Sequence, residues 1–312
     1  MQEKRNIRLL ILLVVSTLAL LFTIYLSTRK NFDVVDKQLF QVKDQTEIDQ
    51  VIIKPAQGEK VELRFEGTRW RVNNTYDADQ QMIKILFATL LQTEPRRAVA
   101  AAIQDSISKH IHATGREVEL YTQNNLVKRF WVAGNDRKTE TWFQLPEGVP
   151  YIVQVPGYRL YIASVFELPP VEWRDKWLFN FNWQNFRQLT ATFPKNPKED
   201  FTVEMQQTFF GINGLPAADT ARLNTYLDGV SLVQANRFVT PGEFPYLDSL
   251  IAIGPEFKIQ ISDIARRSYQ LEVYPPTEKN TVFLARLNGE VMLLLSRAGR
   301  EAIGRKRTYF AK

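Results

Sequence analysis

Hydrophobic and polar positions divide the chain into one uniformly apolar run and two long stretches of mixed pattern. The run is Leu9 to Thr28, LLILLVVSTLALLFTIYLST, and it holds no charged residue. Lys4, Arg5 and Arg8 precede it, and Arg29 and Lys30 follow. At about 1.5 Å per residue, a helix of this length reaches roughly 30 Å, the hydrocarbon thickness of a bilayer. Its circumference is apolar all round, which predicts a membrane helix at 9–28 behind a short tail at 1–8. Tyr25-Leu26-Ser27-Thr28 offers no small-residue cleavage site, so the helix is expected to stay on the chain. Lys and Arg counts on its two sides do not set the orientation. The shortness of the tail does: it favours a cytoplasmic N-terminus, with the soluble body outside the cytoplasmic membrane.

After the run, the pattern recurs at a spacing of 140 residues. Val61, Leu63 and Phe65 in KVELRF correspond to Phe201, Val203 and Met205 in FTVEM. Trp70-Arg71-Val72-Asn73 corresponds to Phe210-Gly211-Ile212-Asn213, and Ala78-Asp79 to Ala218-Asp219. Ile83, Leu86, Phe87 and Leu90 correspond to Leu223, Tyr226, Leu227 and Val230. Each copy therefore predicts two alternating strands, a turn at Asn73-Asn74 or Asn213-Gly214, and an amphipathic helix. Asp77 with Gln80 reads as a capping box for the first helix, and Asp79 and Asp219 suit the positive end of the dipole. Further strands are predicted at Val118–Tyr121, Leu126–Val132, Thr141–Leu145 and Tyr151–Val155. Their counterparts are Phe257–Ile261, Tyr269–Val273, Val282–Leu287 and Val291–Leu295. The strands do not alternate with helices throughout, which argues against a parallel doubly wound sheet.

The expected fold is thus α+β: an N-terminal transmembrane helix, then two tandem repeated domains. Each domain would be a mainly antiparallel sheet with one or two helices on one face. The expected division is a linker at 29–46, a first repeat at 47–165, a connecting segment at 166–185, a second repeat at 186–304 and a basic tail at 305–312. The connecting segment, FELPPVEWRDKWLFNFNWQN, holds Trp173, Trp177 and Trp183, three of the six tryptophans. Packing of the two copies is one reading of it. The other is a contact surface for a partner, with Trp173, Arg174, Asp175, Trp177 and Trp183 as its residues.

Composition removes several chemistries. With no cysteine in 312 residues there are no disulfides, thiol nucleophiles, thiolate metal sites or lipidated cysteine. The net charge of +6 is compatible with anionic lipid or acidic partners, and the cluster Arg297, Arg300, Arg305, Lys306, Arg307 reads first as a solvated tail. No aromatic platform accompanies it, so nucleic acid is not an expected partner. The only histidines are His110 and His112 in KHIHATG. On a strand they would make half a metal site; near a helix end they serve the terminal carbonyls instead. No serine-nucleophile, phosphate-loop or dinucleotide motif is present. Glu172 and Asp175 read as partners of Arg174 and Lys176. No catalytic residue, metal or cofactor is expected.

The stretch YLSTRKNFDVVD with LFQV, the W-x-V-N…A-D turn and helix, and E-W-R-D at Glu172–Asp175 resemble the bacterial DUF4340 domain family. The resemblance covers most of the chain after the anchor and is clearest from Tyr25 to Asp175. It implies a membrane-anchored protein with no assigned activity. Such proteins accompany an ABC-type transporter and a GldG-like auxiliary protein related to gliding motility and secretion. The expectation is a non-enzymatic accessory or scaffold subunit docking on an integral membrane partner or on itself. The alternative is an envelope glycan-binding protein or hydrolase using the central aromatic and acidic segment.

Overall fold

The computed structural model describes residues 2–28, 35–42, 46–179, 184–206, 209–240, 242–264, 267–276 and 283–312. Along the first helix, side chains are described only for 6, 7 and 9–24. Of the positions singled out above, Trp183, Val282, Arg29 and Lys30 lie outside the described residues, as do 31–34 and 43–45 of the linker.

The apolar run forms helix α1, Gln2–Thr28. Its described apolar side chains, from Leu9 to Ile24, are all exposed. That stretch covers about 24 Å at 1.5 Å per residue. Among the described residues, no helix is long and apolar enough to cross a membrane. Within 29–46, the described part is not a bare linker, because Phe40 and Val42 are buried.

The remainder is α+β, with two antiparallel sheets. The first copy runs β1 Gln50–Pro55, β2 Val61–Glu66, β3 Arg69–Val72, β4 Tyr76–Asp77, α2 Gln80–Gln92, β5 Glu94–Ala98, α3 Gln104–Thr114, β6 Arg116–Thr122, β7 Asn125–Gly134, β8 Thr141–Gln144, β9 Tyr151–Gln154 and α4 Ala163–Phe166. The second runs β10 Phe186–Thr192, β11 Phe201–Gln206, β12 Phe209–Ile212, α5 Thr220–Ser231, β13 Arg237–Phe238, α6 Leu247–Ile253, β14 Phe257–Asp263, β15 Ser268–Val273, β16 Phe283–Leu287, β17 Val291–Leu295 and α7 Arg297–Ile303.

Strand order in the first sheet is β4-β3-β2-β1-β6-β7-β8-β9-β5, and in the second β12-β11-β10-β14-β15-β16-β17-β13. Apart from the two-residue β4, corresponding strands follow the same order. The 140-residue spacing places β2 on β11 and β3 on β12 residue for residue. The turn after β3 holds Asn73 and Asn74 at φ 48° and 57°, and Gly214 occupies the second of these positions at φ 69°. Only glycine and asparagine adopt that conformation readily.

Contacts group the chain into two compact units: 1–49, 53–58 and 85–167 in one, and 50–52, 59–84 and 168–312 in the other. In the first unit, Phe130 stacks on Phe143 at 5.1 Å, with Phe40 and Phe166 edge-on to Phe143. The alternate residues Ala133 and Trp142 face the other way and pack with Ile111 of α3. In the second unit, Leu223 and Leu227 of α5 and Ile303 of α7 pack on Ile259, Leu271, Ala285 and Leu293. The alternate residues Tyr274, Leu284 and Leu294 pack against Leu250 of α6.

Helices therefore cover both faces of the strands, not one. The reason lies in strands paired on both edges. β8 is buried at all four positions, and Leu293-Leu294-Leu295 of β17 is buried without alternation. A strand wet on one face cannot carry such a run. The capping of α2 also differs from expectation. Asp77 belongs to β4, and Asp79 is the cap, its Oδ1 accepting the Gln81 and Met82 N–H groups at 2.8 and 3.3 Å. Asp219 caps α5 in the same way through Arg222 N–H.

Candidate functional site

The central aromatic segment was the main candidate, and its geometry follows from two prolines. Pro169 is extended, and Pro170 opens a 3₁₀ turn ending at Trp173. Trp173 is fully buried. Its carbonyl accepts the Asp79 N–H at 2.8 Å, and Arg174 forms a bridge with Ala78. The C-terminus repeats this arrangement. A 3₁₀ turn at Arg307–Phe310 ends in the buried Phe310, whose carbonyl accepts the Asp219 N–H at 2.8 Å, and Ala311 bridges Ala218. Trp173 and Phe310 are thus equivalent packing residues, each closing its own copy beside the helix cap. The residues expected to be a basic tail include this docked turn, held also by Arg307 Nη2 donating to the Gly214 carbonyl at 2.6 Å.

From Arg174 to Leu178 the chain forms an extended strap. Asp175 N–H donates to the Asp77 carbonyl at 2.8 Å, Ala235 N–H to the Lys176 carbonyl at 2.8 Å, and Leu178 N–H to the Val233 carbonyl at 3.3 Å. Trp177 bridges Gln234 through its backbone and is 42% exposed. The Arg174 guanidinium lies 3.5 Å over the Tyr76 ring and 4.1 Å over Phe238. Burial holds its pKa below the ordinary arginine value.

Asp175 does not pair with Arg174 or Lys176. Lys176 instead reaches Glu172 at 3.2 Å. Burial raises the Asp175 carboxyl above its ordinary value, and the Asp79 and Asp77 carboxylates push it further, against the lowering effect of the Trp177 N–H. Asp77 is neutralised by Arg69 and Arg71 at 2.8 and 2.7 Å. The acidic side chains near the strap are thus a helix cap, a double ion pair, the single pair of Glu172 with Lys176 and one half-buried carboxyl. Among the five expected contact residues, Trp177 is exposed, Arg174 and Asp175 are half-buried, Trp173 is enclosed and Trp183 lies outside the described residues.

His110 and His112 lie on α3, packed edge-on to Trp142 and Trp131 at 5.6 and 4.8 Å. His110 Nε2 sits 3.1 Å from the Gly134 carbonyl. Among the described residues, no group of three or more histidine or acidic side chains is placed to hold a metal ion.

Glu119 in the first sheet and Glu272 in the second are buried glutamates that the polar pattern does not mark. Burial alone would raise Glu119, but hydrogen bonds from Lys54, Tyr121 and Arg129 more than offset it and hold the carboxyl below its ordinary value. Glu272 is treated alike by Lys258 and Arg286. Both glutamates alternate with core residues on their strands, so nothing local marks them. Comparison of the chain with family models, with curated proteins and with solved structures gives no match.

Proposed function

We propose that the protein is a non-enzymatic, single-pass membrane-tethered accessory subunit. Its duplicated α+β body would dock on an integral membrane protein of an ABC-type transporter, gliding-motility or secretion complex from the periplasmic side. One observation carries this reading. Among the described residues, the side chains of α1 from Leu9 to Ile24 are exposed all round the helix. Water tolerates such a surface poorly, whereas lipid or an apolar partner suits it. The run continues in sequence to Thr28, which brings its length to the thickness of a bilayer. The division into two copies with the same strand order supports descent from one duplicated domain. The carboxylates that neighbour the central segment support a structural use over a chemical one, because Asp77 is held by an arginine pair and Asp79 by a helix start.

The test is recovery of the tagged full chain from its native membrane in mild detergent. A stoichiometric integral membrane partner is the expected result, and a lone monomer in several mild detergents contradicts the reading. Trp177→Ala should weaken that recovery and leave stability unchanged. Trp173→Ala should instead cost about 3–5 kcal/mol of stability whether or not a partner is present.

A further inference from the structure

Each copy carries a cleft lined in part by the segment that follows β9 or β17, and only one of the two is charged. In the first copy the cleft has a volume of about 660 Å³. Arg96 of β5 and Arg159 of the segment after β9 line it, with Lys138, Tyr158, Leu160 and Gln154. In the second copy the cleft is about 440 Å³, and its lining carries no charged side chain. At the 140-residue spacing, Arg96 becomes Asn236, Tyr158 becomes Ala298 and Arg159 becomes Gly299, all three in the second lining. The duplicated fold therefore forms without these cations.

Among the described residues, Lys138 has a carboxylate 3.6 Å away at Glu167, while Arg96 and Arg159 have no hydrogen bond or ion pair. One carboxylate, Glu140, also lines the cleft. Tyr158 and Leu160 stand 66% and 59% exposed beside Arg159. The wall behind them is fixed. Tyr161 donates a hydrogen bond to Glu167, and its ring lies so close to Gly134 that a Cβ there would overlap it. Two guanidinium forks without partners match an oxyanion of charge two, and the adjoining tyrosine and leucine offer an apolar rest for an organic substituent.

The geometry points to a binding site in the first copy for a phosphomonoester, held by Arg96 and Arg159. The phosphate can belong to a soluble organophosphate or to a lipid headgroup, since both present the same dianion. Calorimetric titration of the full chain in mild detergent separates them. One arm uses inorganic phosphate and the other dihexanoyl phosphatidic acid below its micelle concentration. Saturable binding in either arm is expected. Binding in both marks a site for the phosphate itself, and binding of the lipid alone marks a headgroup site. The double variant Arg96→Asn, Arg159→Gln should weaken that binding by at least about tenfold at an unchanged Tm, as loss of two charge-assisted contacts requires. Arg297→Gln, which removes an exposed cation elsewhere, should leave it unchanged. No saturable binding in either arm overturns the site, as does a loss below about threefold in the double variant or an equal loss in Arg297→Gln.

Discussion

At the residue scale, Asp175 is the half-buried carboxyl that the strap leaves without a cation. Its folded-state pKa is raised, so the folded protein binds that proton more tightly than the unfolded chain does. The destabilisation is present above the raised value and disappears below the ordinary value of 3.8. Asp175→Asn keeps the oxygen that accepts the Trp177 N–H and removes the charge. The variant should melt about 2 °C higher than wild type at pH 7, with the difference closing as the pH falls from the raised value to the ordinary 3.8. Thermal melts of both proteins at several pH values check this, and a variant less stable at pH 7 counts against it. Glu243 shows the opposite sign. Its hydrogen bond from Arg237 holds the carboxyl down to about 2, so its contribution is full above the ordinary glutamate value and fades as pH falls towards 2. The sequence placed Asp175 beside Arg174 and Lys176 but could not show that Arg174 turns into the Tyr76–Phe238 sandwich. That sandwich joins residues far apart in the chain.

At the element scale, alternation and spacing located the strands that are half-buried in the ordinary way. β2, β3, β11 and β12 were legible because KVELRF, FTVEM and their partners alternate cleanly, and both main helices showed their stripes. β5 reads Glu-Pro-Arg-Arg-Ala and has no apolar alternation. It is a strand because β9 pairs with it. α3 is mostly polar and buries Ile111 alone, so no stripe announced the second helical layer. Equivalence of the two copies predicts equivalent caps. Asp79→Ala and Asp219→Ala should each cost about 1 kcal/mol in denaturant unfolding, since each removes the acceptor for orphan N–H groups at a helix start. A large cost in one copy and none in the other would deny that the two starts do the same work. The cleft residues Arg96, Lys138 and Arg159 share no motif. The pairing of β5 and β8 with β9, the turn between β7 and β8 and the return of the chain after β9 bring them together.

At the scale of the whole molecule, the chain is one exposed apolar helix followed by two copies of one strand order. The second sheet follows the strand order of the first without β4. Pro216 stands where Tyr76 pairs in the first copy, and proline lacks the N–H that a ladder needs. The copies therefore share a fold while differing at an edge strand and in the charge of one cleft, as expected when one copy keeps a contact that the other has lost. All of this takes place next to a membrane only if α1 lies in lipid. Alkaline carbonate extraction of native membranes, run on the full chain beside a chain beginning at residue 35, tests that claim most directly. The account predicts that the full chain stays with the sedimented membrane and the shortened chain is released. Release of the full chain into the supernatant would contradict it.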